Sequence, residues 1–240
     1  MDFAPRMSRF KPSPSQIATA RVRELQAQGR DIIKLTAGEP DFPAPEHAKQ
    51  AVMELMERNE IQYTPINGTL AMRQAVQAKF KRDNNLCSPS NPPGATYSRG
   101  ELRALADVLL RHPHVHVLTD DVYEHLLFDD HEFATLAQVE PKLFDRTVTA
   151  NSVSKAYSMT GFRCGYAGGP KDIIAKMSNM QSQSTAGVSA LGQAGAVAAL
   201  NGPQELLKER AANLQRRRDM LFEKLNAAEG LSCDLPEGAM

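Results

Sequence analysis

Apolar and polar positions along this chain fall into helical stripes interrupted by short apolar runs. Helical spacing is expected over residues 15–28, closed by Gly29, and again over 45–58, 69–81 and 98–111. An Ala-rich helix over 188–200 and a long charged one over 203–228 complete that set. Short β-branched or apolar runs at 32–35, 115–119, 146–150 and 164–167 read as strands. Residues 1–45 are otherwise Pro-rich and irregular, 36–43 is dense in turn residues, and 86–95 is a loop rich in Ser, Pro and Asn. Strands alternating with helices predict an α/β fold whose sheet is parallel over most of its width. In such sheets ligands bind beyond the carboxyl ends of the strands.

Composition narrows the function more by exclusion than by suggestion. The 240 residues suffice for one large domain or two modest ones. Lysines and arginines (28) balance aspartates and glutamates (28), which argues against a nucleic-acid surface. The run Arg216-Arg-Arg218 lies in a polar helix pattern and reads as a solvated face. Cys87, Cys164 and Cys233 are odd in number and lack metal spacing, as expected in a reducing cytosol. Neither a signal-type apolar core nor a membrane-length apolar run is visible, so a soluble, cytoplasmic protein is expected. His112, His114 and His116 alternate, but no acidic or cysteine partner is obviously placed, and they read as a loop entering a strand rather than a metal site. The glycines from Gly161 to Gly169 do not fit G-x-G-x-x-G, and no P-loop pattern occurs. Met177 and Met180 have helix spacing and are expected to pack in the core. No internal repeat is visible.

One lysine changes the picture. Lys155 follows the expected strand at 146–150 and is flanked by Ser152, Ser154 and Ser158, with Arg163 eight residues on. An amine there can form a Schiff base with an aldehyde, while hydroxyls and a guanidinium hold a phosphate. Pyridoxal phosphate carries both groups. Asp120, after the strand at 115–119, suits a protonated pyridine nitrogen, and Tyr123 suits the ring's phenolic oxygen. Asn91, in Ser-Asn-Pro-Pro-Gly, can donate to the same oxygen, and Ser152 and Arg163 can take the phosphate. Each alone has an ordinary structural role open to it: a helix cap, a core aromatic, a turn residue, a surface charge. Their joint occurrence in this order does not.

With the stretches Lys34-Leu-Thr-Ala-Gly-Glu-Pro-Asp-Phe42, Tyr63-Thr-Pro-Ile-Asn-Gly68, Ser88-Pro-Ser-Asn-Pro-Pro-Gly94 and Asp120-Asp-Val-Tyr-Glu-His-Leu126, and the lysine run, the chain resembles the fold-type I, class I aminotransferases. It is most similar to the bacterial aspartate and aromatic group. The resemblance implies a pyridoxal phosphate cofactor with Lys155 as Schiff-base lysine and proton shuttle, and Asp120 as pyridinium partner. Tyr123 and Asn91 become the phenolate contacts, and Ser152 and Arg163 the phosphate contacts. It further implies that Gly38 meets the substrate carboxylate through its backbone, that Asn91 also binds substrate, and that Tyr63 reaches the phosphate of a neighbouring subunit, making the active unit a homodimer. Amino-acid and 2-oxo-acid substrates would follow, with aspartate, aromatic amino acids and prephenate all open.

Two departures qualify that expectation. After Leu86 the family continues through a Gly-containing phosphate-binding turn and three strands that have no counterpart here. Its substrate arginine lies in a small domain that is only beginning where this sequence stops. The expected division is an arm and small-domain segment at 1–44, a cofactor-binding domain at 45–202, and a connecting helix with the start of the small domain at 203–240. Activity of the chain alone is expected to be impaired. The rival readings are other pyridoxal phosphate chemistry, such as C–S β-elimination, and a non-catalytic remnant that pairs with an intact subunit.

Overall fold

A computed structural model describes residues 4, 9, 11–83, 94–129, 131 and 134–239, and Cys87 and Asn91 lie outside them. Two units are distinguished, Met1–Glu39 and Pro40–Met240. In the first, helix α1 (Pro14–Ala27) starts on a proline, whose fixed φ suits the first turn, and buries none of its residues. The expected strand at 32–35 is not formed. Ile33 and Leu35 are almost fully exposed, and β-propensity without a neighbouring strand does not make a strand.

The second unit contains α2 (Glu46–Glu57), α3 (Leu70–Arg82), α4 (Arg99–Leu110), β1 (Val117–Asp120), a short α5 (Leu136–Val139), β2 (Thr147–Ser152), β3 (Gly165–Gly168), α6 (Lys171–Ser182), α7 (Ala190–Asn201) and α8 (Glu205–Asn226). The starts of α3 and α4 follow from their caps. Thr69 accepts from Met72 N at 3.2 Å, and Ser98 with Glu101 closes a reciprocal capping box. α7 is buried on several faces because Gly192, Gly195, Ala196 and Ala199 let other elements approach closely. α2 and α3 pack against it. α5 and α6 have no counterpart among the expected elements, apart from the helical spacing of Met177 and Met180. These two methionines do not enter the core: they are 41% and 75% exposed.

Three strands form one sheet in the order β1-β2-β3. β1 and β2 run parallel with Asp120 opposite Ala150, and β2 and β3 run antiparallel with Ser152 opposite Gly165. The α/β class is as expected, although only one of the two pairings is parallel. Among the described residues both outer edges of the sheet lack a partner strand, and Leu118 on β1 is 71% exposed.

The main core joins α2, α3, α7 and the loop after β2 through Ala48, Met72, Ala75, Val153, Tyr157, Met159 and Ala196. A second cluster seats α4 on α5 through Leu102, Ala106, Leu136 and Leu143. Arg218 departs from the solvated face expected for 216–218. It is buried, pairs with Asp129, donates to Pro236 O at 2.8 Å, and stacks its guanidinium 4.9 Å from the Phe128 ring. The cation is tolerated there because an anion, a carbonyl and a ring face replace its water. Arg217 behaves closer to expectation, with one guanidinium nitrogen of its half-exposed side chain donating to both carboxylate oxygens of Asp41.

Candidate active site

The loop carrying Lys155 is held from below. Val153, Ala156, Tyr157 and Met159 are each 3% exposed or less, while Ser152, Ser154, Lys155 and Ser158 remain partly open. Burying those apolar side chains stabilises the loop by about 1.5–3 kcal/mol for each large one. Polar ties fix its backbone. Arg210 of α8 donates to Ala156 O at 2.9 Å and to Pro43 O at 2.5 Å, and Tyr157 OH donates to Gln204 Oε1 at 2.6 Å. Burial lowers the Arg210 pKa and pushes the Tyr157 phenol well above its usual range, so the phenol remains a neutral donor.

The loop itself is tightly turned. Ser154 N donates to Ser152 Oγ at 3.1 Å, Ser158 N to Lys155 O at 3.1 Å, and Met159 N to Ser154 O at 3.1 Å. Ser158 and Arg163 both adopt left-handed backbone, at φ 55° and φ 50°. For residues with a Cβ this costs about 1–3 kcal/mol each and persists only where the surroundings impose it. Two such residues on either side of one 3-10 turn (Thr160–Phe162) set the direction of the Arg163 side chain, whose guanidinium donates to Thr160 O at 2.9 Å. α7 imposes part of this. A Cβ on Gly192 would stand 2.6 Å from Phe162 O, and one on Gly195 would stand 2.4 Å from the Phe162 ring. Two small residues thus let the helix press on the residue before Arg163.

Parallel pairing brings Asp120, at the carboxyl end of β1, to the same end of the sheet as Ser152 and the Lys155 loop. Asp120 is exposed, and its carboxylate accepts from Val122 N at 3.3 Å. Tyr123, in the turn that follows, is 7% exposed, and Lys155 Nζ lies 5.7 Å from its ring centroid. Five of the expected residues, Asp120, Tyr123, Ser152, Lys155 and Arg163, therefore belong to one end of one sheet. Tyr63 is fully exposed in the loop before α3, and that loop is anchored by Gln193, whose amide donates to Thr64 Oγ1 at 2.9 Å and accepts from Thr69 N at 2.8 Å. Gly38 is exposed and belongs to the first unit.

A buried charge cluster next to Tyr123 escaped the sequence reading. Lys79 and Glu124 are buried with Nζ 2.6 Å from Oε2, and Asp83 Oδ2 is 3.9 Å from the same Nζ. Burial pushes the Glu124 carboxyl up, but the contacts of His125 and Lys79 outweigh it and hold the group below its usual range. His125 Nε2 is buried 3.2 Å from Glu124 Oε1. Asp121 is 2% exposed with an unpartnered Oδ2, and burial, then the Glu124 charge, raise its pKa to about 7. A signal for Lys79 existed. It continues the stripe of Met72, Ala75 and Val76 at helical spacing, which predicts a buried position. Asp83, Glu124 and His125 bring ligand atoms within 4.8 Å of one another, but Lys79 already neutralises two of them.

Comparison with known proteins decides the family. The aminotransferase class I and II family model matches residues 85–240. The aspartate aminotransferase of Rhizobium meliloti (strain 1021) is 39% identical, aligned over 303 positions that cover 92% of this chain and 74% of the relative. The chain belongs to the class I and II aminotransferases. The aspartate/prephenate aminotransferase of Cereibacter sphaeroides (strain ATCC 17029 / ATH 2.4.9) is 37% identical over 97% of this chain and 79% of its own length. Among solved structures, an aspartate aminotransferase from Rhizobium meliloti superposes with a TM-score of 0.91 at 37% identity, covering all of this chain and 80% of that one. The Thermus thermophilus enzyme with maleate gives 0.87 at 28% identity, covering all of this chain and 84% of that one. Because the 303 aligned positions take in 92% of this 240-residue chain, the Rhizobium relative carries roughly 80 positions with no counterpart here.

As a class I and II aminotransferase the chain is pyridoxal phosphate dependent and acts on amino acids and 2-oxo acids. The donor set fits that cofactor. An amine, a carboxylate at the strand end, a guanidinium and several hydroxyls are the groups its aldehyde, pyridine nitrogen and phosphate require. Ser158 Oγ, buried in this loop, has no hydrogen-bond partner among the described residues and is a further polar group that could meet the cofactor. No helix among the described residues is long and apolar enough to cross a membrane.

Proposed function

We propose that Lys155 holds pyridoxal phosphate and shuttles the proton in transamination of aspartate or an aromatic amino acid, prephenate being the other acceptor class the relatives suggest. The observation that carries this reading is the meeting of Lys155 and Tyr123, 5.7 Å from amine to ring, at the carboxyl end of a parallel strand pair that ends in Asp120. Bound pyridoxal phosphate supplies an electrophilic aldehyde and an electron-withdrawing ring that acidifies the substrate α-carbon.

The chain's own residues do the rest. Lys155 Nζ would hold the cofactor aldehyde and, as the amine beside the substrate α-carbon, would take its proton and give it back, acting as base and then acid. Asp120 holds a proton on the pyridine nitrogen, and Tyr123 donates to the ring's phenolic oxygen. Ser152 and Arg163 bind phosphate oxygens, with Arg163 aimed by the left-handed turn that α7 enforces. Asn91 joins Tyr123 at the phenolic oxygen, and Gly38 receives the substrate carboxylate at its backbone. Full exposure of Tyr63 on an anchored loop supports its reaching a second subunit of a cytoplasmic homodimer.

Turnover by this chain alone is impaired on our reading. Asp120 is exposed, and a solvent-screened carboxylate stabilises a pyridinium less than a buried one. The test is product analysis with aspartate or phenylalanine and 2-oxoglutarate. Glutamate formed slowly, without ammonia, supports the reading. Ammonia released without an acceptor oxo acid indicates elimination instead and overturns it.

A further inference from the structure

The outer edge of β3 opens onto a groove that transamination does not use. Among the described residues β3 pairs with β2 alone, so one side of its backbone faces no strand. A groove of about 750 Å³ follows this side along Gly165 to Gly169. The five residues span roughly 16 Å in extended form, the reach of an ordinary strand. Met72, Val76 and Phe80 of α3 line one wall, and Ile174 and Met177 of α6 line the other. Among the described residues α6 has no fully buried side chain, so its apolar side is only partly covered.

Charge along the groove is one-sided. Arg73 and Lys81 stand eight residues apart on α3, on the same stripe with Gln77 between them, and all three are exposed. Among the described residues no aspartate or glutamate lines the groove itself, and Asp83 and Asp121 line the adjoining cavity that shares Phe80 and Gly168. Unpaired strand backbone between apolar walls is the arrangement that accepts an added strand, in which main-chain hydrogen bonds supply affinity and alternate side chains supply selectivity.

We propose that this groove takes an extended peptide segment of another protein, paired to β3 as a fourth strand, with apolar residues on the α3 and α6 walls and a carboxylate against Arg73 or Lys81. The acidic character follows from the cationic rim, and the apolar character from the walls. Neither depends on the cofactor site.

The probe is a fluorescein-labelled peptide of roughly eight residues, alternating valine and threonine and ending in two glutamates, titrated with the purified chain and read by anisotropy. Saturable binding is expected, weakened at least about tenfold by N-methylation of alternate peptide amides. Arg73→Glu with Lys81→Glu is expected to weaken it by a similar factor, and a lysine-ended peptide to recover affinity on that variant. Both positions are on the exposed rim, so unchanged thermal unfolding of the variant separates loss of binding from loss of fold. Absence of saturable binding, equal binding of the N-methylated peptide, or indifference to the charge reversal would overturn the proposal. So would peptide binding that is lost as the chain dimerises, because a second copy would then hold the edge.

Discussion

Lys79 Nζ and Glu124 Oε2 lie 2.6 Å apart with both side chains buried, and this pair ties α3 to the turn that carries Tyr123. Removing Lys79 leaves the buried Glu124 carboxylate without its lysine, with His125 as its remaining close polar neighbour. Lys79→Met is expected to cost about 3–5 kcal/mol, whereas Lys79→Met with Glu124→Leu costs far less, because an apolar pair of similar volume often replaces a buried ion pair at little loss. Denaturant unfolding of the two variants checks this. Equal destabilisation by both would show that packing, not charge, holds the turn.

Asp121 gives the fold a pH dependence of opposite sign to a salt-bridged carboxylate. Its folded-state pKa is about 7 against 3.8 as the ordinary value, so between those limits the folded chain binds the extra proton. Stability from this group is therefore intact below pH 4, falls as pH rises through 7, and is fully lost above it. Asp121→Asn should gain stability over the native chain across that window, reaching on the order of 4 kcal/mol at its upper end. Melting temperatures of both proteins at pH 5 and 8 test it. A constant difference contradicts it.

Close packing of α7 on Phe162 links the core to the phosphate end of the site. Gly192→Ala puts a methyl 2.6 Å from the Phe162 carbonyl, which must move and carry Arg163 with it. The expected cost is about 1–3 kcal/mol in stability, together with weaker retention of pyridoxal phosphate. Dialysis followed by cofactor fluorescence measures the second effect. Retention equal to that of the unaltered chain would show that Arg163 is aimed independently of α7.

Arg218 stabilises the fold through its pair with Asp129 and its bond to Pro236 O. Arg218→Ala is expected to cost about 2–3 kcal/mol, whereas Arg216→Ala changes stability little. Thermal unfolding of the two variants distinguishes a buried arginine from an exposed one.

Much of the fold was legible in the sequence because its elements announce themselves locally. The caps at Thr69 and Ser98, the alanines of α7 and the β-branched run before Lys155 each specify an element without help from distant residues. The grouping of Asp120, Tyr123, Ser152, Lys155 and Arg163 at one end of the sheet was legible for a related reason: all follow strand ends or turns within one stretch of chain. What stayed hidden depends on tertiary context. Residues 32–35 have strand propensity but no partner strand among the described residues. Arg218 looks solvated until Asp129 and Phe128 fold against it. Met177 and Met180 have a core-like pattern on a helix with no core to meet. The Lys79–Glu124 pair joins residues 45 positions apart, although the helical stripe containing Lys79 pointed to its burial.

The central claim, that Lys155 carries the cofactor, is tested most directly by titrating the purified chain with pyridoxal phosphate and following absorbance before and after borohydride, alongside Lys155→Ala. The account predicts a visible band that borohydride converts into a permanent attachment at Lys155 and that the alanine variant lacks. No band, or an equal band in the variant, would contradict it.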